Sequence, residues 1–231
     1  MIKKQDMSNA AYSEEYLQCR KKVEDDLFIQ ERFDSSEEIV ISDSLVWARK
    51  HYANQSYCGS ENVILKDGKQ IYSFKNLEDQ AEFCKLIHHS NGNSYLLFRR
   101  DLYGYSVLNL NTLEDFHYFP ACNIKPKDET FIWCDPIYNP KNDLLIVFGC
   151  YWACPYDLIL VDFKDPFAPA ENQVCIYFKK EIGDIIDNGY YWDGTTLVIS
   201  SKHSKTKKTH RITEAQCRKW LAEGNYAGGI R

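Results

Sequence analysis

Six aspartates, Asp135, Asp157, Asp162, Asp184, Asp187 and Asp193, stand where the sequence predicts strand ends and turns. Glycoside hydrolysis needs two carboxylates roughly 5 to 10 Å apart across a cleft, one to move a proton and one to attack or to activate water. A hydrolase or sugar-acting site would draw its pair from Asp135, Asp157, Asp184 and Asp193. The plainer role of these residues is turn chemistry, because an Asp side chain bonds its own backbone two residues on. Cys150 and Cys154 are the second candidate, as metal ligands or a redox pair. Structural zinc asks for a further Cys/His pair, and only Cys134 and His117 are conceivable completions. A redox pair more usually shows C-x-x-C beside a βαβ pattern. The expectation is two ordinary thiols, no metal and no cofactor. His88-His89 reads as surface, and the chain has no G-x-S-x-G elbow, phosphate loop or H-E-x-x-H.

The most unusual local sequence is Gly149-Cys150-Tyr151-Trp152-Ala153-Cys154-Pro155-Tyr156-Asp157. It places three aromatics in a strand end and turn, where a rigid scaffold presents binding groups. Tyr and Trp give large contact area at low entropic cost and dominate interface hot spots. The expected binding set is Trp133, Tyr151, Trp152 and Tyr156, joined by Tyr190, Tyr191 and Trp192. The opposing expectation is that Trp152 and Tyr156 pack over the hairpin or between neighbouring sheets. On this basis the first function class is a non-catalytic module for a protein or peptide, and the alternative is the aspartate enzyme. Residues 202 to 211 hold five Lys/Arg in ten positions without an aromatic, which suits a solvated hairpin tip better than a nucleic-acid platform. The net charge of −5 points the same way.

Those residues need elements to hold them. Leu144 to Phe148 and Leu158 to Val161 are short, wholly apolar runs, the form of strands buried on both faces. The eight residues between them are too few for a parallel crossover, so an antiparallel hairpin is expected. Asp67-Gly68 predicts a second hairpin between Asn62 to Leu65 and Gln70 to Phe74. A third joins Tyr95 to Phe98 with Tyr105 to Leu110, followed by Asp115 to Phe119, and Thr196 to Ser200 with Lys208 to Ile212 makes a fourth. Leu45 to Tyr52 fits strand or helix, and Asn76 to His89 stays open. Residues 1–36 read as an N-terminal helical segment, with a helix over 8–26 capped by Ser8 and a stripe of Tyr12, Tyr16 and Val23. Residues 37–212 read as the repeated hairpin domain. Residues 213–231 read as a closing helix and tail, opened by the Thr213 and Gln216 capping-box pattern.

Three of these segments share one plan, and their first strands, at Leu96, Leu145 and Leu197, stand 49 and then 52 residues apart. That spacing resembles the four-stranded blades of WD40-like β-propellers. The resemblance covers residues 38 to 212 and implies a small propeller-like array of about four blades, with Ile39 to Ile41 completing the last blade and closing the ring. Trp192-Asp193 stands before a predicted strand rather than at the end of one, and no Gly-His partner precedes it, so none of the family's signature residues is carried over. An open stack of antiparallel sheets is the alternative. No stretch reaches the roughly 18 apolar residues of a membrane span. With nine scattered cysteines and a basic N-terminus lacking an apolar core, the expected setting is cytoplasmic, with no membrane partner.

Overall fold

The computed structural model describes residues 5–78, 82–124, 129–152, 156–170, 173–176, 182, 184–203 and 206–223. The fold is mainly β, with a helix at each end: α1, Glu14–Leu27, precedes every strand and α2, Glu214–Glu223, follows them. Between them the strands form four antiparallel sheets, each a run of consecutive segments. The first holds β1 (Phe33–Ser42), β2 (Leu45–Ala53), β3 (Cys58–Lys66) and β4 (Lys69–Asn76). The second holds β5 (Cys84–His88), β6 (Ser94–Phe98), β7 (Tyr105–Asn109) and β8 (Asp115–Tyr118). The third holds β9 (Ile132–Asn139), β10 (Leu144–Cys150), β11 (Asp157–Asp162) and β12 (Gln173–Cys175). The fourth holds β13 (Asp184–Asp193), β14 (Thr196–His203) and β15 (Thr206–Ile212).

The sheets stack in chain order, and side-chain alternation makes the stack. In β10, Leu145 and Val147 enter the core shared with the second sheet, while Leu144 and Ile146 enter the core shared with the fourth. β11 divides likewise, Ile159 and Val161 one way, Leu158 and Leu160 the other. In β6, Leu97 faces the third sheet, whereas Leu96 and Phe98 face the first. Successive side chains of a strand point to opposite faces, so an unbroken apolar run is what a doubly covered strand requires. Each such side chain, fully withdrawn from water, stabilises the fold by about 1.5–3 kcal/mol.

Among the described residues no apolar core joins the fourth sheet to the first, which fits the open stack. Ile39 to Ile41 do not complete the last sheet: they lie in β1, which pairs with β2. The first strands run along one side of the stack, where β1 touches β5, Lys85 of β5 meets Asp135 of β9, and Trp192 of β13 bonds Ile137 of β9. Leu45 to Tyr52 is strand, and the open segment Asn76 to His89 contains the end of β4 and all of β5. Trp192-Asp193 closes β13 as well as preceding β14, a strand end that the Asn/Asp/Gly-rich context had concealed.

Asp67 and Gly68 both have positive φ, 51° and 74°, which is the geometry of the two-residue hairpin that Asp-Gly favours. α1 starts at Glu14 with Ser13, not Ser8, as its cap; the Ser13 hydroxyl accepts from the Tyr16 amide at 3.3 Å. The later start has a cause in tertiary pairing. The Asn9 side chain donates to the His117 carbonyl at 2.8 Å and the Ala10 amide to that of Phe119 at 2.8 Å, so Asn9 is held in a bridge to Pro120 and the chain turns at Ala11 and Tyr12 before the helix can start. α2 begins as the capping pattern requires, with the Gln216 amide donating to the Thr213 hydroxyl at 3.3 Å.

Candidate functional site

The loop leaving β10 and entering β11 carries the most exposed aromatics of the third sheet. Trp152 is 56% exposed and Tyr156 53% exposed. Tyr156 is braced from below: its ring stacks on Phe148 with centroids 4.7 Å apart and planes 7° from parallel, and Phe148 stacks in turn on Tyr190 at 5.6 Å. Three parallel rings thus run from the core between the third and fourth sheets out to solvent. Such contacts contribute about 0.5–1.5 kcal/mol each beyond buried area, enough to hold a surface ring in place.

The other expected binding residues divide by depth. Trp133 is 1% exposed and stacks on Tyr105 at 4.5 Å, which removes it from any surface that a partner can touch. Tyr190 is likewise buried, as the inner ring of the stack. Tyr151 is half-buried with an edge contact to Phe131 at 5.5 Å, and Trp192 is half-buried with its indole N–H donating to the Ile137 carbonyl at 3.2 Å. Tyr191 is 53% exposed, but it follows Tyr190 directly in β13 and so points to the opposite face of the sheet. Trp152 and Tyr156 are thus the exposed rings of one loop that also holds half-buried Tyr151, Tyr190 lies beneath Tyr156 through Phe148, and Trp133 is closed off in the core. Phe148 was missed in the sequence because it ends an apolar run that reads as uniform core.

Behind the loop lie thiols and a buried cation. Burial pushes the Cys134 thiol up to about 11, with Cys150 adding to the rise and Arg99 opposing it, so at neutral pH it is protonated. Arg99 donates to the carbonyls of Trp133 at 2.9 Å and Asp101 at 3.1 Å, tying the β6–β7 loop to β9. A protonated, sheltered thiol is a poor nucleophile and a poor ligand. Cys154 lies outside the described residues. Among the described residues no group of three or more His, Cys, Asp or Glu is placed to hold a metal. His117, the conceivable completion, is engaged elsewhere, with Nδ1 against the Ser106 hydroxyl at 2.9 Å and Nε2 facing Asp115 at 3.4 Å.

Each described candidate aspartate is engaged by a different partner. Asp135 is ion-paired with Lys85 at 2.7 Å, and Asp193 with Arg211 at 2.5 Å. Asp157 is buried; its Oδ2 accepts from the Cys175 thiol at 3.0 Å and its Oδ1 from the Leu158 amide at 2.6 Å. The Asp184 side chain lies outside the described residues, but its backbone opens the ten-residue β13 that Asp193 closes, which puts the two about 30 Å apart along the strand. Ser106, His117 and Asp115 repeat the residue types of a hydrolytic triad on β7 and β8. Ser106 is buried in the sheet and directly opposite His117, so the contact is a cross-strand bond within the fold.

A cavity of about 170 Å³ lies under α1 and is lined by Tyr16, Cys19, Arg20, Asp101 and Phe119 among others. Its polar groups are spent on anchoring the helix. Arg20 meets Asp101 at 2.6 Å and donates to the Arg100 carbonyl at 3.0 Å, while the Tyr16 hydroxyl donates to Asp101 at 2.6 Å. No family model, curated protein or solved structure matches this chain.

Proposed function

We propose that this chain is a non-catalytic binding module that recognises a protein or peptide through Trp152 and Tyr156. The observation that carries the reading is the contrast in exposure within one short loop region: Trp152 and Tyr156 stand in solvent, Tyr156 on the packed support of Phe148, while Trp133 and Tyr190 nearby are buried. A pre-positioned ring loses little entropy when a partner covers it, which is how a few aromatic residues come to dominate an interface. The partner is a polypeptide rather than nucleic acid, a choice supported by the −5 net charge. We place the module in a reducing compartment such as the cytoplasm, a reading supported by the free state of the described cysteines. The four consecutive sheets, first strands along one side, are also what a propeller-like array of blades would supply.

The test is affinity capture from native lysate with the wild type beside Trp152→Ala/Tyr156→Ala, followed by a binary titration with each captured protein after purification. The expected result is a partner that binds the wild type directly and loses at least about tenfold in affinity with the double variant, the scale of one hot-spot residue. Direct binding unchanged by the two substitutions would overturn the assignment of this loop.

A further inference from the structure

Independently of the aromatic loop, the two outer edges of the stack are complementary. Among the described residues β1 bonds only to β2 and β15 only to β14, so each stands at the edge of its sheet. The fourth sheet has three described strands where the other three have four, and β15 is the edge at which a fourth would add. β1 is exposed along most of its length, with Asp34, Glu37 and Glu38 in solvent; β15 is exposed from Thr206 to Thr209, with Lys207 and Lys208 in solvent. One edge is acidic and the other basic.

We propose that β1 of one copy pairs antiparallel with β15 of a second copy, completing the fourth sheet and joining the chains head to tail. A single register satisfies the charges. With Glu37 opposite Lys208, Glu38 falls opposite Lys207 and Ser36 opposite Thr209. Glu37 and Glu38 lie in the regular stretch of β1, between its two irregularities. Adjacent residues point to opposite faces, so the two Glu–Lys pairs lie one on each face of the joined sheet, each at the separation where opposite charges attract across strands. Glu37 keeps Arg49 at 2.9 Å, and its exposed carboxylate has room for a second cation. Lysines on an edge ordinarily discourage pairing. Against an acidic edge their sign reverses, while β1 with β1 or β15 with β15 places like charges together. The contact is therefore heterologous rather than two-fold.

The experiment is sedimentation velocity on the full chain at about 0.05 M and about 1 M salt, where the screening length falls to about 3 Å. Wild type is expected to associate with concentration at low salt and to dissociate at high salt. E37K/E38K and K207E/K208E carry substitutions only at exposed positions, and circular dichroism confirms that each is folded. Each alone, with both edges now of one sign, is expected to associate at least about tenfold more weakly. An equimolar mixture of the two variants, whose edges are again complementary, is expected to recover association. A wild type that stays monomeric at low salt, as it would if β1 closed onto β15 of its own chain, overturns the proposal. So does self-association that the charge reversals leave unchanged.

Discussion

Trp133 and Trp152 lie close in sequence at the same end of the third sheet, and they do opposite work. Trp133 sits inside β9, opposite Gly149, with its ring stacked on Tyr105 of the second sheet; Trp152 sits two residues past the end of β10 and is more than half exposed. The neighbouring β10 backbone explains the close fit at Trp133. A Cβ added at Gly149 would collide with the Ile132 carbonyl and press on the Phe131 ring, so only glycine lets β9 and β10 approach at the irregularity beside Phe148. Residue type is shared and depth is not. What the pair teaches is that in a stack of doubly covered sheets the strand interiors are committed to packing, and only the loops and outer edges are left to meet a partner.

The sharpest way to break that comparison is at its buried end. Trp133→Ala should cost about 3–5 kcal/mol, the range for large-to-small changes in a core, read as a lower midpoint in urea unfolding. Gly149→Ala should destabilise on a similar scale, through collision with backbone rather than through a cavity. A near-neutral result for either would mean that β9 and β10 do not approach as closely as described. Next comes the clamp under α1. Arg20→Met leaves Asp101 facing the helix without its cation and should cost about 3 kcal/mol, with the loss of helical signal at 222 nm preceding global unfolding.

A smaller effect is tied to pH. Burial lowers the His117 pKa to about 3, with Arg100 acting the same way and Asp115 opposing. The folded state thus holds the ring neutral, while the unfolded chain protonates near about 6.5. The sign follows: the contribution of His117 is complete above about pH 6.5 and is lost as pH falls toward about 3, because the unfolded chain takes up a proton that the folded one does not. Thermal melts of wild type and His117→Gln between pH 7 and pH 4 should show the shallower pH dependence in the variant. Equal slopes would remove His117 as the cause. The smallest stability effect belongs to the exposed end of the comparison. Trp152→Ala should shift stability by no more than about 0.5 kcal/mol, and Tyr156→Ala by about 0.5–1.5 kcal/mol through the lost stacking on Phe148, while partner binding falls with either. A large loss of stability from Trp152→Ala would move that ring from the surface to the fold and erase the contrast with Trp133.

Much of the architecture follows from the sequence alone. The apolar runs Leu144 to Phe148 and Leu158 to Val161 specify two strands covered on both faces, because alternation leaves no polar side for water, and the short link between them specifies their antiparallel pairing. Asp67-Gly68 specifies its hairpin, since few residue pairs tolerate two positive φ angles in succession. Thr213 specifies the start of α2 through a bond that spans only three residues. These are local rules, and local rules are legible one segment at a time.

Tertiary structure decided the rest. Whether the stack closes depends on where β1 pairs, and its sequence suits either the first sheet or an edge such as β15; the contacts of β2 along its whole length settled it in the first sheet. The start of α1 moved from Ser8 to Ser13 because the end of β8 captured Asn9 and Ala10. Among the aromatics, composition and position gave Trp133, Tyr190, Trp152 and Tyr156 the same standing, and only the arrival of a second sheet over the first two divided core from surface. The physical reason is common to all three cases. Burial is a property of what comes to lie opposite a residue, and in this chain the opposing residue is often supplied by a different sheet.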